Sequence, residues 1–557
     1  MKKLLIILLV GILLPIAATA QFKTSFEGYG QWLTNETDNT IFHSTDDTTK
    51  IRANAYLKLD YTVKDWDFGV QFESYLPVAL LNYSPDLKGI NFGVVYARYN
   101  NINAGIDVTA GHIYEQLGSG LIFRSWEDRQ LGINNAIFGG RVAYTPINGL
   151  KLTVLGGKQR IGMGFDLSDG VIYAANLETS ITDILKVSNF DANIGLSYVG
   201  RYENLKDFSN LPKMLNAYSA RFHIAKNGLY LGGEYVFKDK EALFETIPGQ
   251  SGHINPNSLN MGNALLINMG YAKKGFGIDV NLRRMENMGF FSQQNLAGNL
   301  YNTAVLNYLP GLTKQYAYSL QNIYLYQAQP YLQFMPIDKE KFGEIGGQID
   351  MYYEFKKGSL LGGKYGTNVA LNASYWGGLN AVMNFNTRSY KADFFSVSEK
   401  YYHDIGIEIR KRCTKDLSFV LMFLNQYYNE YIEGKIGVIN ANILTGEVTY
   451  KFAKVQSVKV QLQHHWADAE YKNWAGAAID YALNYHWSFF VHDDYNYGND
   501  DKDKRNHYYN AGISFVTGST SIAASYGKQR EGLSCAGGVC RPVSESTGFT
   551  LTVSTSF

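Results

Sequence analysis

The closing stretch of the chain, Phe549 to Phe557, alternates with a period of two. Phe549, Leu551, Val553, Thr555 and Phe557 are apolar or carry a methyl group, whereas Thr550, Thr552, Ser554 and Ser556 are small and polar. This is the pattern of a strand with one apolar and one wet face. It recurs upstream. Ile51, Ala53, Ala55, Leu57, Leu59, Tyr61 and Val63 alternate with Arg52, Asn54, Tyr56, Lys58, Asp60 and Thr62. Ile278, Val280 and Leu282 alternate with Asp279, Asn281 and Arg283, and Ile405, Ile407 and Ile409 with Asp404, Glu408 and Arg410. Charges on the second face require water there. Two folds satisfy such strands: a soluble sandwich whose apolar faces meet, or a closed barrel whose apolar face meets lipid.

Connection lengths separate the two. Long polar gaps, such as Asn35 to Thr48, Leu76 to Gly89 and Tyr114 to Ala136, alternate with tight ones at Lys64-Asp65, Asn100 to Asn103 and Pro146 to Gly149. Farther on, Lys238 to Met261, Glu286 to Glu344 and Gly377 to Ser398 read as long gaps, while Lys226 to Gly228, Lys273 to Gly275, Arg412 to Asp416 and Thr517 to Thr520 read as turns. Membrane barrels segregate short turns and long loops to opposite rims; a soluble meander has no reason to. The expected fold is therefore all-β: a single-chain transmembrane antiparallel β-barrel of about 24 strands (range 22–26), with short periplasmic turns, long outer loops and both termini periplasmic. The stretches Val171 to Thr179 and Gly289 to Pro336 are the hardest to assign.

Residues 1–20 read as a secretory signal. Lys2 and Lys3 precede the apolar run Leu4 to Ala17, and Ala18-Thr19-Ala20 supplies a small-residue cleavage site. The barrel domain is then 21–557. No later apolar stretch has the length of a membrane helix. Aromatics at 14 %, led by 42 Tyr, with 55 Gly and only 11 Pro, suit many strands bearing aromatic belts. The 51 basic and 50 acidic side chains cancel, which excludes nucleic acid as an expected partner. Of the three cysteines, Cys535 and Cys540 can close a small loop as a disulfide in an exported protein, leaving Cys413 unpaired.

The terminal Phe557 resembles the closing aromatic of bacterial outer-membrane barrels. That resemblance implies recognition by the barrel assembly machinery and residence as an integral protein of the outer membrane of a Gram-negative cell. With the N-terminal Gly28-Tyr29-Gly30-Gln31 and the segment Leu117 to Arg141, the chain is similar over nearly its whole mature length to a family of Bacteroidota outer-membrane barrels without assigned function. The resemblance implies no catalytic or ligand-binding residue.

Leu117 to Arg141 is the most unusual stretch. It gathers Arg124, Glu127, Asp128 and Arg129 around Trp126, between glycines at 118, 120, 132, 139 and 140. Read as an inward-folded loop, it places these four charges at a lumen constriction that screens solutes, pairing with wall residues such as Lys58 or Asp60. Read as a plain surface loop, its ion pairs only hold it together. Asn496 to Lys504 clusters Asp500, Asp501 and Asp503 without calcium-loop spacing, so it reads as a solvated turn. His464-His465 and His403-Asp404 point to opposite faces of their strands, which argues against a shared metal. Ser119 lacks a nucleophile-elbow context. No enzyme, metal or cofactor is expected. The function expected is a porin-like channel passing small polar solutes by diffusion, its lumen partly occupied by Glu286 to Glu344 with Tyr301, Tyr308, Tyr316, Tyr318, Tyr324 and Tyr326. A plugged scaffold serving a surface export or adhesion assembly is the alternative. A receptor with a separate plug domain fits less well, because strands begin near Gln21.

Overall fold

A computed structural model describes residues 20–36, 50–82, 84–205, 211–245, 253–294, 303–335, 339–384, 386–387, 389–536 and 539–557. Its main sheet has 24 strands, each antiparallel to both neighbours, from Ala20–Glu36 to Ser546–Ser556. The sheet closes on itself. The first and last strands pair from Ser25 opposite Ser556 through Trp32 opposite Phe549. Phe557 extends this seam: its N–H donates to the Thr24 carbonyl (2.9 Å), and Thr24 N–H donates to its carbonyl (3.1 Å). No strand of the main sheet is left with an open edge.

The period-two pattern sorts the side chains as the sequence reading expects. In Ile51–Val63, Asn54 and Tyr56 are buried in the lumen, while Ile51 and Leu57 are exposed outside. In the closing strand Phe549 and Leu551 face outward, half exposed. The outer wall carries an aromatic belt at each rim. At the turn rim Trp66 stacks on Phe68 and lies against Tyr99, and Phe452 stacks on Tyr481. At the loop rim Phe549 packs between Trp32 and Tyr526, with ring centroids 5.9 and 4.6 Å away. Leu551, Val154, Leu196 and Ile479 belong to the apolar band between the belts. Together these features make the fold an outer-membrane-type β-barrel. No helix among the described residues is long and apolar enough to cross a membrane.

Three stretches depart from the sequence reading. Lys238 to Met261 is not one long gap, because its flanking strands run on as Leu229–Glu245 and His253–Lys273. Their register shifts between Lys238 and Glu241, and again between Ala242 and Leu243. Each shift breaks the alternation, so the pattern fades where the strands continue. Lys238 and Glu241 are buried at the first shift, ion-paired to each other, and Arg201 also bonds Glu241. On the turn rim, two links are longer than turns. One holds the short helix Ile181–Leu185, capped by Ser180, whose hydroxyl accepts from Asp183 N–H. The other is Lys356 to Gly366, which exposes Leu360 and Leu361. The described part of Gly289 to Pro336, by contrast, contributes no strand to the wall, as the reading of Glu286 to Glu344 as one long gap expects. It lies inside the barrel.

Candidate functional site

Two loops fill the lumen from the same rim. The first follows strand Ile106–Ile113. Gly118 (φ +58°) and Gly120 (φ +92°) adopt the left-handed backbone that glycine tolerates, and turn the chain back on itself. Gln116–Leu117 then pairs with Phe123–Arg124, and Glu127–Asp128 with Ile133–Asn134. The loop's Leu117, Leu121, Ile122 and Phe123 are buried in an apolar cluster with inward wall residues Leu155, Ile172, Val199, Val236 and Met285. Of Leu117 to Arg141, the part up to Ala136 is thus folded inward, whereas Ile137 to Arg141 belongs to the wall strand Ile137–Ile147.

Its four charges do not meet at one point. Arg129 donates to Glu27 (2.8 Å), Glu127 (3.2 Å) and Gln71 (2.8 Å). Its carbonyl accepts from Asn54 and from the Tyr56 hydroxyl, each at 2.9 Å. Glu127 accepts from Gln71 and Asn134, and Asp128 accepts from Leu131 N–H. Arg129 and Glu127 thus fasten the loop to the wall, while Asp128 holds a turn within it. The expected partners Lys58 and Asp60 instead pair with each other (3.2 Å), and Tyr96 donates to Asp60. Lys58 lies opposite Gln71, which bonds the loop, but its ammonium is engaged by Asp60, two residues nearer the Lys64-Asp65 turn. Arg124 differs from the rest. Its guanidinium lies over the rings of Trp126 (4.8 Å) and Tyr308 (4.1 Å).

The second loop, Asn287 to Phe342, crosses from one wall to the other. Met288, Phe290, Leu306 and Leu309 join the cluster that holds the first loop. Tyr316, Tyr318, Leu320, Tyr324 and Tyr326 join a second cluster on the opposite wall, with Trp376, Tyr402, Met422, Leu424, Ile443 and Trp474. Hydrogen bonds key the tyrosines into place. Tyr316 donates to Asp404 (3.0 Å), which also accepts from Ser374 (2.5 Å). Tyr326 donates to Glu344 (2.5 Å), itself bound by Arg283 (2.7 Å). The Tyr326 ring stacks on Trp376 and Tyr402. Burial, then the Asp404 charge, raises the Tyr316 hydroxyl well above the ordinary phenol range, so it stays a donor. Lys341, at the loop's end, donates to Gln329 (2.6 Å) and to the Ile432 carbonyl (2.9 Å), and burial lowers its pKa to about 8. Sequence reasoning found this loop and its tyrosines, although Tyr301 lies outside the described residues. It missed the wall partners Asp404, Glu344 and Trp376. Their only signal is a carboxylate or a large ring on the inward face of an alternating strand.

Between the loops remains a cavity of about 740 Å³, lined among others by Trp126, Asn135, Asn307, Tyr308, Tyr331 and Gln348. One side is the ribbon Gly532–Ala536 with Val539–Val543, where Cys535 and Cys540 form a disulfide. Cys413 is exposed in a link on the turn rim. In the Asn496 to Lys504 loop, Asp500, Asp501 and Asp503 are exposed, but Asn496 and Asn499 are buried. Among the described residues no group of three His, Cys, Asp or Glu is placed to hold a metal ion. His465 is buried and bonds the Lys472 carbonyl, while His464 bonds the Tyr497 hydroxyl, so the adjacent pair is split.

Residues 1–557 match the model of a protein family described as "Family of unknown function (DUF6029)". The chain belongs to that family. No curated protein matches it. Solved structures with a similar course include the P pilus usher (PapC) translocation pore, at TM-score 0.42 and 8 % identity, covering 96 % of this chain and 99 % of that one. A BenF-like porin from Pseudomonas fluorescens Pf-5 has TM-score 0.37 and 11 % identity, covering 97 % and 99 %. The siderophore receptor PirA from Pseudomonas aeruginosa has TM-score 0.40 and 9 % identity, covering 96 % and 80 %. None of these bears on what passes through this barrel or docks on it.

Proposed function

We propose that the protein is a narrow, solute-selective channel of the outer membrane of a Gram-negative cell, of the Bacteroidota to which the resemblance points. It is not a wide general pore, nor an enzyme. The observation that carries this reading is the loop Asn287 to Phe342. Its two apolar clusters seat it on opposite walls and leave a cavity between loops in place of an open bore. A barrel of this strand number would otherwise enclose a wide lumen. The charges of the first loop would act locally, since Arg129, Glu127 and Asp128 are engaged in the loop and wall, and Arg124 alone lies beside the cavity-lining rings. A second reading is a plugged scaffold for a surface assembly, favoured by how fully both clusters are buried. Swelling of liposomes that carry the purified barrel separates the two. Uptake of small sugars that declines with solute size is expected. Silence from folded protein would contradict the channel, and size-independent uptake would contradict its narrowness.

In this reading the turn rim and both termini face the periplasm. In a Cys413→Ser background, a cysteine replacing Asp503 in the exposed loop is expected to label on intact cells. One replacing Asp65 should label only after the outer membrane is opened. The reverse pattern would invert the barrel.

Assembly is expected to need the closing aromatic. Deleting Phe557 removes both backbone bonds to Thr24 together with the ring that would serve as the signal to the assembly machinery. The amount of heat-modifiable barrel in the outer membrane should fall. Wild-type amounts would show that the last residue is dispensable.

A further inference from the structure

We propose that the cavity between the two lumen loops is a binding site for a neutral oligosaccharide. This rests on the channel reading only in naming its solute, because binding can be measured without transport. The argument begins with the chemistry of the lining. Trp126, Tyr308 and Tyr331 are each only partly buried there. The C–H face of a sugar ring packs on such indole and phenol faces, which bury large area at low entropic cost. Between them the lining includes amides and hydroxyls, among them Gln315, Gln327, Gln348, Thr313 and Ser534, beside aliphatic side chains such as Leu312 and Val539. These groups donate and accept, as sugar hydroxyls do.

Charge narrows the class. No carboxylate lines the cavity, and Lys314 is its one charged side chain, among the described residues. The nearby Arg124 is held over Trp126 and Tyr308. An acidic solute would find no cluster of cations, and a cationic solute no anion. An apolar solute would strip water from many amides without replacing their bonds. A neutral polyhydroxylated solute meets neither penalty. The volume, about 740 Å³, lies within the range of small-molecule sites, about 300–1,000 Å³.

A second observation points to a ligand. Asn307 lines the cavity and is 6 % exposed. Its amide nitrogen donates to the carbonyls of Leu121 (3.2 Å) and Met288 (2.8 Å), which fixes the side chain between the two loops. The other end, Oδ1, has no hydrogen-bond partner in the protein. Buried acceptors are rarely left so. A sugar hydroxyl donating to Oδ1 would complete the set. The two glycine turns of the first loop and the bond from Tyr308 N–H to the Gly120 carbonyl (2.9 Å) hold the aromatic side of the site against the same asparagine. The site is therefore formed before any solute arrives.

The test is calorimetric titration of the folded, detergent-solubilised barrel with maltotriose and xylotriose, and with trigalacturonate and trialanine as acidic and peptide counterparts. At least one neutral trisaccharide is expected to bind, with a dissociation constant about millimolar, and more tightly than either counterpart. Asn307→Leu and, separately, Gln327→Ala should each weaken it by about tenfold, as loss of one hydrogen bond does. The Gln327 side chain makes no hydrogen bond to the described residues, so Gln327→Ala leaves the loop framework intact if Asn307→Leu does not fold. Failure of both neutral probes to bind the wild-type barrel would overturn the site. So would tighter binding of the acid or the peptide, or wild-type affinity in every variant that folds. Liposomes that stay silent while these titrations succeed would overturn the channel and leave the site standing.

Discussion

Arg160→Ala is expected to destabilise the barrel by about 3–5 kcal/mol, the cost of leaving one member of a buried ion pair without the other. Arg160 ends strand Leu150–Arg160, and Glu73 lies near the end of Trp66–Tyr75, with three strands between them around the wall. Their side chains are 1 % and 0 % exposed, and the Arg160 Nη2 donates to the Glu73 carboxylate. The pair spans the inside of the wall at the loop rim. There Tyr75, also bonded to Glu73, meets Tyr56, whose hydroxyl holds the first loop. The variant strands a carboxylate among these rings. Replacing both partners at once, as Glu73→Gln with Arg160→Met, should recover most of the loss, because no charge is then left unpaired. Urea titration followed by heat-modifiability measures both. A loss below about 1 kcal/mol for Arg160→Ala, the scale of an exposed pair, would show that water reaches Glu73.

The wall was legible because each of its strands repeats a two-residue rule that needs no knowledge of a neighbour. Ile51–Val63 shows it plainly: the residues read as wet, Asn54 and Tyr56, are those that face the lumen. The rule failed where register shifts interrupt it, beside Lys238 and Glu241. It had nothing to say about Asn287 to Phe342, where no period exists. The loop is held by pairings that lie far apart in the chain. Arg129 bonds Glu27 across 102 positions, and Tyr316 bonds Asp404 across 88. No local pattern encodes such partners. The glycines and charges of Leu117 to Arg141 marked an unusual loop correctly. They could not show that Arg129 and Glu127 are tied to the wall while Arg124 lies over aromatic rings.

Excision of residues 289–329 is expected to open the lumen. Met288 N–H donates to the Pro330 carbonyl (2.8 Å), so the ends of the segment already lie side by side and a short Gly-Ser linker can join them. The deletion removes Phe290, Leu306 and Leu309 from one cluster and Tyr316 to Tyr326 from the other. The closed ladder of wall strands uses none of the excised residues. Wall residues such as Trp376, Leu424 and Val236 would then face water. Some loss of stability is expected, but the barrel should remain closed, since its backbone bonds stay paired around the full circle.

The central claim is that this segment, and not the width of the wall, sets the bore. Single-channel conductance of the intact and excised barrels in planar bilayers tests it most directly. The account predicts small, steady openings from the intact protein and a conductance about tenfold larger or more after excision, as the wide lumen of a large barrel is uncovered. An intact barrel that already conducts as much as the excised one would contradict it.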